Sequence, residues 1–420
     1  MDSQISDAGL LGEVDADLDA DLDADDEAAP KNPLAFLGLT GRANQWASWI
    51  AILLAIWILI TAVSSIGDGF STAVGDQAAD LFQFATNPFV ALAIGILATV
   101  ATQSSSTTTS IVVGLAAGGL PMEIAIPMLI GANVGTTMTS TLVSVGMIGN
   151  KTQFRRAFSA ATVHDFYNIA SLVLIFPLEL ATGFLARSSE WAANAVSGEG
   201  TEGNVVSTAF TTFGDGVSAI TSPGTDLIGW AVSPLQDTAA GIVQIVTGVA
   251  LILLVIRFIG NMMKALMVGR AKRILHNAIG RGPISSVGSG TLITVIVQSS
   301  STTTALVVPM AGSGAFSLKQ IYPFTVGANI GTTLTALIAS FAFTGAEGTL
   351  ALQAALIHLF YNLASALVIF GIPFLRPIPL ICASWLGKTV ADRKILGVLW
   401  VLVVFLILPL LVIAISTLVS

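Results

Sequence analysis

Apolar residues in this chain come in long continuous runs rather than alternating singly with polar ones. Residues 48–66 (SWIAILLAIWILITAVSSI) carry no charge and approach the roughly 20 residues that a helix needs to cross a bilayer. Similar runs at 121–148, 157–186, 238–260, 320–342, 350–374 and 395–418 bring the predicted spans to seven. Trp46 and Trp49 anchor the first at the interface. Two further apolar stretches, 89–120 and 285–316, are interrupted by hydroxyl-rich segments and by glycines. They are too broken for one lipid-facing helix. Each is predicted to be a re-entrant hairpin of two short helices, because irregular backbone at that depth survives only against protein or water. Runs of this length exclude a membrane barrel, whose strands alternate with period two. The expected fold is therefore an all-α polytopic membrane protein.

Composition supports this. Hydrophobic residues make up 54% of the chain and charged ones 10%, against about a quarter charged in soluble domains. The net charge of −8 misleads as a whole. Residues 1–29 hold only acidic charges, and the remainder is slightly basic. Residues 1–45 are predicted to be a disordered, self-repelling tail; a solvated extension is favoured over a partner-binding arm. The tail lacks the basic start and apolar core of a secretory signal. Cys382 is the only cysteine, so no internal disulfide or cysteine metal cluster can form.

The chain is also duplicated. QSSSTTTS at 103–110 returns as QSSSTTTA at 298–305, GANVGTT at 131–137 as GANIGTT at 327–333, and HDFYNIAS at 164–171 as HLFYNLAS at 358–365. The offsets are 195, 196 and 194 residues, as expected of one ancestral unit copied once. The expected organisation is a first span and outer loop at 46–87, repeat 1 at 88–186, an extracytoplasmic linker at 187–237, a connecting span and basic segment at 238–283, repeat 2 at 284–375, and a basic loop with a last span at 376–420. The linker is rich in Ser, Gly, Thr and Asn.

Basic residues set the orientation. They cluster at Lys151, Arg155 and Arg156, at 257–281, and from Arg376 to Lys394; these segments are expected on the cytoplasmic side. The linker, acidic apart from Arg187, is expected outside, the N-terminus inside and Ser420 outside. The two repeats then run in opposite directions through the bilayer. Inverted repeats with broken helices at the midplane point to a secondary transporter working by alternating access.

Each QSSS tip offers an amide and three hydroxyls without a fixed charge, and half-helix N-termini aim unpaired N–H groups into the same space. Small hard cations take such oxygens, and an oxyanion takes the N–H groups. No Lys or Arg lies within the motifs, so co-bound cations must offset the cost of burying an anion, which couples the two. Gly131, Gly135, Gly327 and Gly331 are expected to let the chain unwind beside a ligand, with Asn133, Thr136, Thr137, Asn329, Thr332 and Thr333 facing the tips. The two halves are expected to enclose one central cavity. A single Ser/Thr patch in a membrane helix is usually packing glue; its matched recurrence favours a site.

Other residues weigh less. His164 and His358 can relay protons, but a buried hydrogen bond between helices is the favoured reading. Asp165 and Glu179 lie in or near a span yet do not recur, Asp80 reads as a loop charge, and Arg155 and Arg156 read as topology anchors. Neither a nucleophile elbow nor a nucleotide-binding glycine loop is present, which argues against an enzyme and against a pump. A sodium-coupled carrier for another small anion, and a channel or non-transporting scaffold, remain alternatives.

The paired QSSS and GANxGTT motifs, together with TQFRRAFSAATVHDFYN at 152–168, resemble the type II sodium-dependent phosphate cotransporters over roughly residues 85–390. The resemblance implies sodium-driven import of inorganic phosphate across the plasma or inner membrane, with no nucleic-acid partner. A homodimer is one arrangement compatible with it. It implies substrate contacts at Gln103, Ser104, Ser105, Ser106, Gln298, Ser299, Ser300 and Ser301. Sodium contacts are implied at Gln103, Ser106, Thr107, Asn133 and Thr136, and at Gln298, Ser301, Thr302, Asn329 and Thr332. Vertebrate members carry a cysteine pair in the outer loop and a longer C-terminus; this chain has neither, and its short linker is expected of a prokaryotic member.

Overall fold

The computed structural model describes residues 33–74, 87–197, 205–279 and 282–419, and every long element among them is a helix. Helix α1 (Gly41–Val74) comes first. Helices α2 (Pro88–Thr102) and α3 (Ser105–Ala117) follow, then α4 (Met122–Gly135) and α5 (Met138–Val145). Helices α6 (Lys151–Thr182), α7 (Phe184–Ser197), α8 (Val205–Val232) and α9 (Asp237–Ile279) lead to the second repeat. That repeat holds α10 (Pro283–Val297), α11 (Ser300–Ser313), α12 (Leu318–Ser340) and α13 (Gly345–Ser365). Helices α14 (Pro377–Asp392), α15 (Ile395–Leu402) and α16 (Leu408–Val419) finish the chain, with π turns after α13 and α15.

Local chemistry explains the boundaries. Asn87 caps α2, its side chain accepting from Phe89 N–H, with Pro88 at the first helical position. Asn150 caps α6 by accepting from Thr152 and Gln153, and Gly183 in the left-handed region ends it. Glu179, read from sequence as a carboxylate in or near a span, is buried and accepts from Leu185 N–H at 2.6 Å and Ala186 N–H at 3.2 Å. It thus satisfies the start of α7. Lys151 and Asp392 pair at 2.6 Å, joining the start of α6 to the end of α14. The hydrogen bond from Lys151, and then its charge, hold the Asp392 carboxyl below its ordinary range.

Among the described residues seven helices are long and apolar enough to cross a membrane, the number read from the sequence. They differ in depth within the protein. The window in Leu318–Ser340 is 78% buried and that in Ile395–Leu418 only 11%, so α12 is central and the last span faces lipid.

Several boundaries differ from expectation. Asp68, expected in a loop, lies within α1. The linker is largely helical, as α7 and α8. Its hydroxyls, a loop signal in composition, bond back along the helix, as Thr211 does to Ser207 O and Thr221 to Val217 O. Helix α9 carries the basic stretch on to Ile279. The GANxGTT break is present in the first repeat only: α4 ends at Gly135 before α5, whereas α12 runs unbroken to Ser340. The acidic residues 1–32, and Asp76 and Asp80, lie outside the described residues.

Packing follows the duplication. Helix α2 lies on α4, and α10 on α12. A methyl group on Gly131 would strike the carbonyl oxygen of Leu92, and one on Gly95 that of Met128. In the second repeat, Gly327 meets Val287 O and Gly290 meets Phe324 O in the same way. The motif glycines therefore allow helices to touch backbone to backbone, and the chain breaks beside them only at Gly135. The helix after each QSSS segment reaches into the other repeat: α3 packs on α12 and α13, and α11 on α5 and α6.

Candidate functional site

Both QSSS segments form the same turn. Gln103 ends α2 with φ 53° and Gln298 ends α10 with φ 54°, and these are the only non-glycine residues with positive φ among the described residues. A side chain held in the left-handed region costs about 1 kcal/mol or more, and such strain gathers at functional sites. The next residue swings to extended backbone and caps the following helix. Ser104 Oγ accepts from Thr107 N–H and Ser299 Oγ from Thr302 N–H, each at 3.2 Å. Each turn thus sets the free N–H groups of a helix start beside a serine-rich first turn.

The hydroxyls around these starts are buried. Ser105, Ser106, Thr107, Ser300 and Ser301 are all nearly inaccessible, as are Asn133, Thr136, Asn329 and Thr332. Thr136 donates to Ala132 O at 2.9 Å and Thr332 to Ala328 O at 3.1 Å. A hydroxyl that spends its proton on the backbone keeps its lone pairs for a cation. The second tip meets the first repeat's signature: Ser301 Oγ lies 3.5 Å from Thr136 O, and one turn on, Ser140 and Thr304 hydroxyls meet at 2.6 Å.

A chain of amides crosses the seam. Asn329 Nδ2 donates to Asn168 Oδ1 at 2.7 Å, and Asn168 Nδ2 to Asn133 O at 2.7 Å. Asn329 Oδ1 lies 2.6 Å from His164 Nε2, so that nitrogen carries the proton. Asp165 Oδ2 accepts from Trp400 Nε1 at 2.8 Å, which ties the last span to α6.

The family can now be read against this geometry. A profile of the Na+/Pi-cotransporter family matches residues 58–188 and 251–376, more than half of the chain, in two blocks that hold the two motif sets. This chain belongs to the Na+/Pi-cotransporter family. Sodium-dependent phosphate transport protein 2A of Oryctolagus cuniculus is 31% identical over 86% of this chain and 66% of its own length. The 2A protein of Ovis aries is 29% identical over the same shares, and the 2B protein of Homo sapiens 28% over 87% and 65%. The chain thus spans just under two thirds of the length of these relatives. No solved structure gives a significant match. Membership sets the chain among multi-pass transport proteins of the membrane rather than enzymes.

Within this cotransporter fold the two halves differ in detail. Thr99 donates to Thr108 at 3.0 Å between α2 and α3, whereas the hydroxyl of Thr294, its counterpart, has no partner among the described residues. Gln298 accepts from Thr335 at 2.9 Å and donates to Val295 O at 2.6 Å. Gln103 is exposed and makes no hydrogen bond among the described residues. His358 is buried with neither ring nitrogen bonded among the described residues, and Asn362 turns back to His358 O at 2.9 Å. Sequence reasoning missed Ser140, Thr304 and Trp400. Ser140 and Thr304 continue the helical rows that start at Thr136 and Ser300, a spacing that could have found them; nothing local marks Trp400.

Proposed function

We propose that this chain imports inorganic phosphate with sodium by alternating access, and that the two inverted repeats bind both between the QSSS turns. The observation that carries the reading is the duplicated strained turn, whose following helix packs in each case on the other repeat. Gln103, Ser104, Ser105 and Ser106, with Gln298, Ser299, Ser300 and Ser301, contact phosphate through amide, hydroxyl and helix-start N–H groups. Sodium takes oxygens from the same turns and from Thr107, Asn133, Thr136, Thr302, Asn329 and Thr332. Among the described residues no three His, Cys, Asp or Glu gather, so neutral oxygens are the ligands on offer. The names of the relatives support the choice of sodium and phosphate.

Neutral donors bind a multiply charged anion weakly once it has left water. A cation held on the adjoining oxygens offsets that cost, so each ligand raises the affinity of the other by the same factor. The unequal hydrogen bonding of equivalent residues suits a molecule whose halves exchange conformations. The basic face with Lys151, Arg155, Arg156 and Lys388 is cytoplasmic in this reading.

The test is radiolabelled phosphate uptake into proteoliposomes with and without an inward sodium gradient. Saturable uptake that needs the gradient and is lost in Gln103→Ala and Gln298→Ala is expected. Flux that is unsaturable and indifferent to sodium means a channel, and stronger competition by sulfate than by arsenate means another oxyanion.

A further inference from the structure

An open cleft lies away from the turns, at the far end of α11. It holds about 500 Å³. Its polar walls are the guanidinium groups of Arg155 and Arg156 and the hydroxyls of Thr152, Ser159, Ser317 and Ser384, and no carboxylate lines it. Neither arginine has an acidic partner within salt-bridge distance among the described residues. Ser317 opens α12 in a capping box, its N–H and its hydroxyl both donating to Gln320 Oε1, at 2.8 Å and 2.9 Å. Gly314 has φ 92°, and a methyl there would come within 2.6 Å of Arg156 Nη1, so the missing side chain makes room for the guanidinium.

The cleft and the turn share one helical row. Along α11, residues 300, 304, 308 and 311 stack at helical spacing. Ser300 begins the helix, Thr304 meets Ser140, and Val308 packs with Ala157 and Ala161 against Val143 and Met147. Ala311 then lines the cleft. A plug of five apolar residues thus separates the hydroxyl-rich turn from the basic cleft. The arginines are not duplicated: at the 194-residue offset of the histidines, the second repeat has Thr349 and Leu350. Only one end of the inter-repeat seam is basic.

We propose that the Arg155–Arg156 cleft binds a phosphate-type oxyanion as a vestibule on the cytoplasmic side of the apolar plug. This deepens the reading above and rests on it for orientation. The arginines then have a task besides fixing topology. They hold the departing anion outside the closed seam, where guanidinium pairs suit phosphate geometry. The phosphate group can belong to the free ion or to an anionic lipid headgroup, since both present the same oxygens.

The experiment uses the full chain in nanodiscs, with Cys382→Ser and Ser384→Cys so that a single thiol sits on the cleft wall. With neutral phosphatidylcholine, an anionic thiosulfonate reagent should label it faster than a cationic one. Arg155→Gln with Arg156→Gln should slow the anionic reagent about threefold or more, and Arg155→Lys with Arg156→Lys should restore it. Inorganic phosphate should protect the thiol only when the arginines are present. Protection that appears only with phosphatidylglycerol assigns the cleft to lipid headgroups and keeps the oxyanion site. Equal labelling in all variants, with no protection by either, overturns it. The readout needs no transport, so absent sodium-driven uptake with intact protection counts against the transport reading alone.

Discussion

The two glutamines at the turns carry both strain and chemistry, and substitution can separate them. Gln298→Gly relieves the left-handed backbone and removes the amide; uptake should fall to background while the melting temperature, followed by detergent gel filtration, holds or rises. Gln298→Ala should lose uptake without that gain. The histidines provide a second comparison. His164→Ala strands Asn329 Oδ1, whereas His358→Ala strands nothing, because the His358 ring makes no hydrogen bond among the described residues. Both leave a similar void, so the first should cost about 1–3 kcal/mol more than the second in thermal unfolding; equal losses would deny the Asn329 bond its weight. These roles were unevenly legible in the sequence. The duplicated QSSS pair announced itself, but the left-handed angle at its glutamine did not, since glutamine has no preference for that region. That the His164 ring is bonded and the His358 ring is not depends on which side chain packs against each, and near-identical motifs do not carry that difference.

At the scale of helices, the glycines in GANxGTT set how closely neighbours approach. Gly131→Ala and Gly327→Ala push a methyl into a backbone carbonyl, which has no rotamer by which to retreat. Both should lower the free energy of unfolding by about 1–3 kcal/mol, read as a fall in melting temperature. Gly149→Ala, with open space around it, should stay within about 0.5 kcal/mol. The spans themselves were legible because an uncharged run near 20 residues has few alternatives. The helicity of α7 and α8 was not, because serine and threonine read as loop until their hydroxyls are seen to bond the turn behind. Nor was the continuity of α12, since GANIGTT differs from GANVGTT by one side chain and only its packing keeps the helix intact.

For the whole molecule, the charge pattern makes a claim about sides. In the Cys382→Ser background, Glu190→Cys on α7 should react with an impermeant reagent added to intact cells. Lys388→Cys on α14 should react only after permeabilisation; the reverse pattern would invert the orientation. The direct backbone contact of α2 on α4, and of α10 on α12, has a mechanical consequence. Helices that touch through carbonyls, with no side chains between them, have no soft layer on which to slide. In the transport cycle proposed above each such pair travels as one block, which leaves the hydroxyl-coated faces of α3 and α11 as the bearings on which its stroke turns.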